Sequence, residues 1–279
     1  MSPPPVPTPA LSYAVHTAGG PGLHKTSVMV MGERDVLLVD GQFTLAEQHR
    51  VVAGLLDSGR RLTTVFVGTP DPDCWLGLEV VRDAFPGARF VAPPGTADRI
   101  AAGAERHRAA WRNLGANLAG SVVVPEPLAG SALELEGRVF EVRGGVPSDP
   151  ELTPRTQYLW QPEDRALIGG APLSAGLHPW TAAAPSPAAR AAWDAVLAEA
   201  ETLDAAFVVP GHRAPDTATD PSVIAFTRAY LAAFGEEAER ARDADALKEA
   251  MLRRFPGLDG LLGLDLGARA AVGVPVRTG

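Results

Sequence analysis

VFVGTPDPDCWLGLE, residues 65–79, begins as an apolar strand pattern, Val65 to Val67, that stops at Gly68. Two prolines, two aspartates and the only cysteine of the chain follow, and then a helical pattern starts. The stretch reads as strand, tight loop and helix, and loops held between rigid elements often carry chemistry. This loop has acidic, hydroxyl and thiol groups but no histidine.

The surrounding sequence repeats this kind of unit. SVMVM (27–31) and DVLLVD (35–40) flank a polar turn and predict a hairpin. Residues 44–58 predict a helix with Leu45, Val51 and either Leu55 or Leu56 toward the core, and 63–68 predict a buried strand. A helix is expected over 75–85, a strand over 88–92 and a long helical stretch over about 95–118. The second half follows the same order. LELEGRVFEV (133–142) reads as a hairpin around Glu136-Gly137, and 156–161 and 166–170 as strands flanking a turn. Residues 186–203 read as a helix with Trp193, Val196, Leu197 and Ala200 on one side, 205–211 as a strand, and 220–236 and 236–254 as closing helices. Hairpins mixed with crossovers predict mixed sheets covered by helices. With no Gly/Ser linker between the halves, residues 13–279 read as one domain behind a flexible lead-in at 1–12.

Composition bounds the function. Apolar residues make up 46% of the 279, enough for a full core, and the net charge is −8. That balance argues against a nucleic-acid or anionic-membrane partner, since both need a basic face. Only Lys25 and Lys248 are lysines; the other basic residues are arginines. One cysteine excludes an internal disulfide framework and any multi-cysteine zinc motif. MSPPPVPTPA has no cationic start or apolar core, so it is not read as a signal peptide. No apolar run approaches the roughly 20 residues that cross a bilayer. A soluble, cytoplasmic protein acting on a small molecule is expected.

The order of landmarks resembles the metallo-β-lactamase superfamily, closest to its bacterial small-molecule hydrolases. LLVDG (37–41) looks like the end of an early strand with its aspartate, and residues 65–90 like the first metal loop and its helix. RGGVPSD (143–149) stands where the next metal histidine sits, ALIGGAPLSAGLHPW (166–180) resembles the segment with the bridging aspartate, and VVPGHRAP (208–215) resembles the last metal loop. The resemblance implies a four-layer αββα sandwich, two mixed β-sheets flanked by helices. It also implies a site at one edge, where the loops at 69–74, 144–149, 171–180 and 211–214 converge.

The ligands of that family are largely replaced. Its H-x-H-x-D-H loop falls on Thr69, Asp71, Asp73 and Cys74, its next histidine on Val146 and its bridging aspartate on Ala171. Asp73 and His212 remain as the family has them. Thr69, Asp71 and Val146 cannot form the first metal position, because zinc there needs imidazoles. The second position is more open. Asp73, Cys74 and His212 are an acceptable zinc set with a fourth place for water. Against it, the cysteine side chain is shorter than a histidine ring, and Ala171 brings no carboxylate.

Three functions follow. The first is a metal-independent, hydrolase-like enzyme in which His212 with Asp73 or Asp71 performs proton transfer, elimination, cyclisation or hydrolysis. The second is a single-zinc hydrolase built on Asp73, Cys74 and His212. The third is a non-catalytic binding or scaffold protein that keeps the pocket. Thr69, Cys74, Val146, His178 and Trp180 are expected to line the substrate site. Blander roles stand beside these: Asp73 as a helix N-cap, Cys74 as a small buried group, His178 as a packing residue, and Arg106, Arg108 and Arg112 as a solvated helix face.

Overall fold

The computed structural model describes residues 10–275. The first half runs through β1 (Ser12–Thr17), β2 (Thr26–Met31), β3 (Asp35–Val39), α1 (Leu45–Asp57), β4 (Arg61–Phe66), α2 (Glu79–Ala84), β5 (Arg89–Ala92), α3 (Pro94–Ala110) and β6 (Glu126–Pro127). The second runs through β7 (Ala132–Leu135), β8 (Arg138–Gly144), α4 (Thr153–Thr156), β9 (Gln157–Gln161), β10 (Ala166–Ile168), β11 (Ser174–Ala175), α5 (Pro187–Thr202), β12 (Phe207–Val209) and β13 (His212–Arg213). Helices α6 (Ser222–Arg240), α7 (Ala244–Arg254) and α8 (Leu261–Ala271) follow.

Two mixed sheets form the centre. One has the order β1-β2-β3-β4-β5-β6 and the other β12-β10-β9-β8-β7, while β11 and β13 pair separately. The apolar run Val36-Leu37-Leu38-Val39 is buried on both faces, as successive strand side chains point in opposite directions. Leu37 and Val39 face the second sheet and meet the cluster of Phe140, Leu159 and Ile168. Val36 and Leu38 face outward and join Val51 and Leu55 of α1, Val81 of α2 and Ile100 of α3. On the far side, Tyr158, Trp160, Leu167 and Val208 pack with Trp193, Val196 and Leu197 of α5 and Val223 and Leu231 of α6. The layers are therefore helices, sheet, sheet and helices, as expected.

Local chemistry explains the element ends. Thr44 and Ser186 accept hydrogen bonds from the third residue on at the starts of α1 and α5, and Pro187 occupies a first-turn position of α5. On α1, Leu55 is buried and Leu56 is exposed, which decides between the two. At the β7–β8 turn, Glu136 and Gly137 both have positive φ, and the Glu136 carboxylate accepts from the amides of Glu33, Arg34 and Asp35. That contact joins the hairpin turns of the two sheets.

Several boundaries differ from expectation. Residues 1–9 of the expected lead-in lie outside the described residues, and Ser12 already begins β1, paired antiparallel with β2. Residues 75–78 are not the start of a helix: the Gly77 amide bonds Gln42 O at 2.9 Å, so α2 begins only at Glu79. The stretch over 95–118 breaks after Ala110 into a 3-10 segment kinked at Gly115. Helix α8 is not marked by the sequence pattern, because its two glycines weaken the helical signal. No helix among the described residues is long and apolar enough to cross a membrane.

Candidate functional site

The loop after β4 ends in a 3-10 turn, Pro72–Cys74, with proline at its first position, where no amide proton is required. The Trp75 indole donates to Pro70 O at 2.9 Å, and the Gly41 amide donates to Cys74 O at 2.7 Å, which anchors the turn from two sides. The turn directs Asp73 toward β13. Asp73 does not cap a helix, because the residue preceding α2 is Leu78.

His212 arrives from the second half of the chain. β13 pairs in parallel with β11, with Ser174 opposite His212. The preceding residue, Gly211, approaches the 166–171 segment so closely that an added Cβ would lie 2.2 Å from Gly170 O. Its carbonyl accepts from the Thr26 amide at 2.9 Å, and the Thr26 hydroxyl donates to Pro210 O at 2.6 Å. This brings His212 Nε2 to 2.5 Å from Asp73 Oδ2. The imidazole side chain is 20% exposed and the Asp73 side chain 8%. No protein group bonds His212 Nδ1 among the described residues.

Beside this pair lies a second one. Lys25 Nζ is 2.8 Å from Asp40 Oδ2, and each side chain is 1% exposed. Asp40 has φ 58°, a left-handed conformation uncommon outside glycine, and its Oδ1 accepts from the Gly68 amide at 2.7 Å. Burial opposes the Lys25 charge, but the carboxylates of Asp40 and then Asp73 more than restore it and hold the ammonium above the usual lysine range. Burial likewise pushes the Asp73 carboxyl up. His212, by charge and hydrogen bond, and then Lys25 reverse that and hold it below the usual aspartate range. For Cys74 burial wins: the thiol is pushed well above its ordinary value despite Lys25. Cys74 Sγ lies 4.0 Å from Asp73 Oδ1.

The remaining expected residues divide. Asp71, expected next to His212, instead accepts from Arg155 Nη2 at 2.9 Å and from the Thr69 hydroxyl at 3.1 Å. A guanidinium had been brought to it by α4, which no sequence pattern marked. Thr69 is buried beneath that pair. Val146 is buried in the second-sheet core, its amide bonded to Thr153. His178 and Trp180 sit toward the C-terminal helices: His178 Nδ1 is 2.9 Å from Tyr230 Oη, and Trp180 packs near Gly263 of α8. Burial lowers the His178 pKa to about 4. His107, which has no motif around it, meets Trp75 edge-on at 5.9 Å; burial and Arg106 lower its pKa while Asp71 opposes them. Arg106 and Arg112 are exposed, and Arg108 pairs with Glu105.

A groove of about 520 Å³ opens between the start of α3 and residues 147–157, lined among others by Pro94, Arg99, Pro147, Pro150 and Gln157. Thr153, which bonds Val146, and Pro154, which precedes Arg155, also line it. Asp73 and His212 do not line it. Among the described residues no group of three or more His, Cys, Asp and Glu side chains is arranged to hold a metal ion.

No protein-family model matches the chain, and no curated protein matches it by sequence. Solved structures do. A β-lactamase domain protein from Burkholderia ambifaria superposes with a TM-score of 0.62 at 18% identity, over 94% of this chain and 84% of that one. A metallo-β-lactamase from Pontibacter korlensis gives 0.55 at 16%, over 80% and 94%, and the DIM-1 metallo-β-lactamase gives 0.54 at 16%, over 81% and 99%. The chain has the metallo-β-lactamase fold.

Proposed function

We propose that the protein is a single-domain, cytoplasmic, metal-independent enzyme acting on a small molecule, with His212 as its proton-transfer group. The observation that carries this reading is the 2.5 Å contact between His212 Nε2 and Asp73 Oδ2. A carboxylate on Nε2 favours the tautomer with the proton there, leaving the Nδ1 lone pair to take a proton from a bound molecule. Asp73 then stabilises the imidazolium, which returns the proton from Nδ1 to the leaving group or product. Proton transfer, elimination or cyclisation fits such a pair better than amide hydrolysis, since nothing here activates water as a metal would.

The donor set does not fit zinc while Lys25 is in place. At the first position Val146 has no donor, and Asp71 and Thr69 are engaged with Arg155 and each other. At the second, His212 and Asp73 bond one another, burial favours the Cys74 thiol over the thiolate, and the Lys25 ammonium already lies within their field. The net charge of −8 and the single unpaired cysteine, Cys74, support a small-molecule partner in a reducing compartment, without nucleic acid or membrane.

Chelator-treated wild type and His212→Ala are to be incubated with activated esters, lactones and carbonyl compounds with acidic α-protons, and products followed by mass spectrometry. The expected result is turnover by the metal-free wild type that His212→Ala lacks. Turnover that appears only on adding zinc would establish the single-zinc hydrolase instead. Saturable binding with no turnover would establish a binding protein.

A further inference from the structure

Lys25 is one of two lysines in an arginine-rich chain, and it is almost fully buried. Its ammonium donates to Asp40 Oδ2 at 2.8 Å and Thr26 O at 2.9 Å, with Gly211 O at 3.4 Å. A lysine ammonium has three protons, and each has an acceptor here. Asp40 passes the connection on through its other oxygen to the Gly68 amide. Gly68 immediately precedes the loop that carries Asp73, and Gly211 immediately precedes His212. One buried cation therefore ties together the two loops whose side chains meet in the site.

That is the place where the fold's metal loops converge. A metal ion there would do two things: hold the loops together and balance their carboxylates. Lys25 supplies both. Lys25 already offsets one of the two carboxylates, Asp40 and Asp73. A divalent ion added to them would leave a buried excess of positive charge, and burial of uncompensated charge is strongly unfavourable.

We propose that the Lys25 ammonium is the resident cation of this site, joining the 68–74 and 210–213 loops and, by its charge, keeping divalent metal ions out of the corner formed by Asp73, Cys74 and His212. The proposal rests on the reading of Asp73 and His212 as the working pair. It extends that reading by naming the group that makes the site independent of metal.

The test is zinc affinity. Wild type, Lys25→Met and Lys25→Met/Asp40→Asn are to be titrated with zinc chloride in competition with a chromogenic chelator, each with a thermal melt to confirm folding. The double variant removes both buried charges at once, so it remains usable if Lys25→Met alone unfolds. A gain in zinc affinity of about tenfold or more is expected for folded Lys25→Met, and a smaller gain for the double variant, which loses the Asp40 charge along with the lysine's. Adding Asp73→Asn is expected to abolish that gain. A folded variant with wild-type affinity, or a gain that survives Asp73→Asn, would overturn the proposal. If neither variant folds, wild-type crystals grown with zinc decide: anomalous scattering between Asp73 and His212 overturns the proposal, and its absence supports it. The readout is metal affinity, so a failure of the acid–base reading, seen as unchanged turnover in His212→Ala, is a separate result.

Discussion

His212 Nε2 meets Asp73 Oδ2 at 2.5 Å although 139 residues separate them in the chain. Asp73 lies in the turn that follows β4 and His212 begins β13 after β12, so the two follow strands of different sheets, and their segments are anchored by backbone hydrogen bonds to Gly41 just after β3 and to Thr26 at the start of β2. The pair is thus preorganised by the sandwich itself, and its properties can be tested residue by residue.

Replacing His212 by alanine should reduce turnover by about 10²–10⁴, the usual contribution of a positioned proton-transfer group. Asp73→Asn keeps the shape but loses the charge that stabilises the imidazolium, so it should also reduce turnover. Steady-state kinetics with melts of both variants check this. Full turnover per folded molecule in both would remove the pair from the mechanism.

The Lys25–Asp40 pair should show strong coupling. Lys25→Met leaves the Asp40 carboxylate buried without its cation and should cost about 3–5 kcal/mol, as for other broken buried pairs. Lys25→Met/Asp40→Asn should cost less than the sum of the two single changes. Urea unfolding of the four proteins in the cycle measures the coupling, and strict additivity would show that the pair carries none.

Acid should weaken the packing of the C-terminal helices through His178. Its pKa falls from 6.5 to about 4 on folding, because burial disfavours the imidazolium. Between those values the unfolded chain binds a proton that the folded chain does not. Stability is therefore complete above the unfolded value and declines as pH falls from there toward 4, by about 3 kcal/mol in all. His178→Gln should flatten that part of the pH profile, and an unchanged slope in urea melts across it would assign the loss to other groups.

Gly211→Ala should destabilise the protein by about 1–3 kcal/mol, as overpacking does elsewhere. The obstacle is backbone, Gly170 O at 2.2 Å and Gly170 C at 2.8 Å from the added Cβ, so no side chain can move aside. Because His212 follows directly, turnover should fall as well. A variant with the wild-type melting temperature would show that the two segments separate easily.

Much of the fold is legible in the sequence because it is written in local pattern. The continuous apolar run of β3 announces a strand buried on both faces, and the apolar spacing in α5 places Trp193, Val196 and Leu197 on one side, where the core cluster has them. Pattern fails where neighbours decide. β1 is only partly buried along its length, so its strand character comes from pairing with β2 rather than from alternation. Residues 75–78 have a helical look, but Gln42 takes the Gly77 amide and the turn wins.

For the site, the sequence by itself determined which chemical groups are present: Asp73 and His212, the side chains of Thr69, Asp71, Cys74, Val146 and Ala171 at the positions to which the family resemblance points, and a lysine abutting the apolar β2. Only the tertiary structure decided who pairs with whom. It gave Asp71 to Arg155 and Asp73 to His212, and it buried Lys25 against Asp40. The physical reason is that a charge selects its partner by distance and burial. Both are set by how strand-end loops from two sheets converge, across separations that local spacing does not encode.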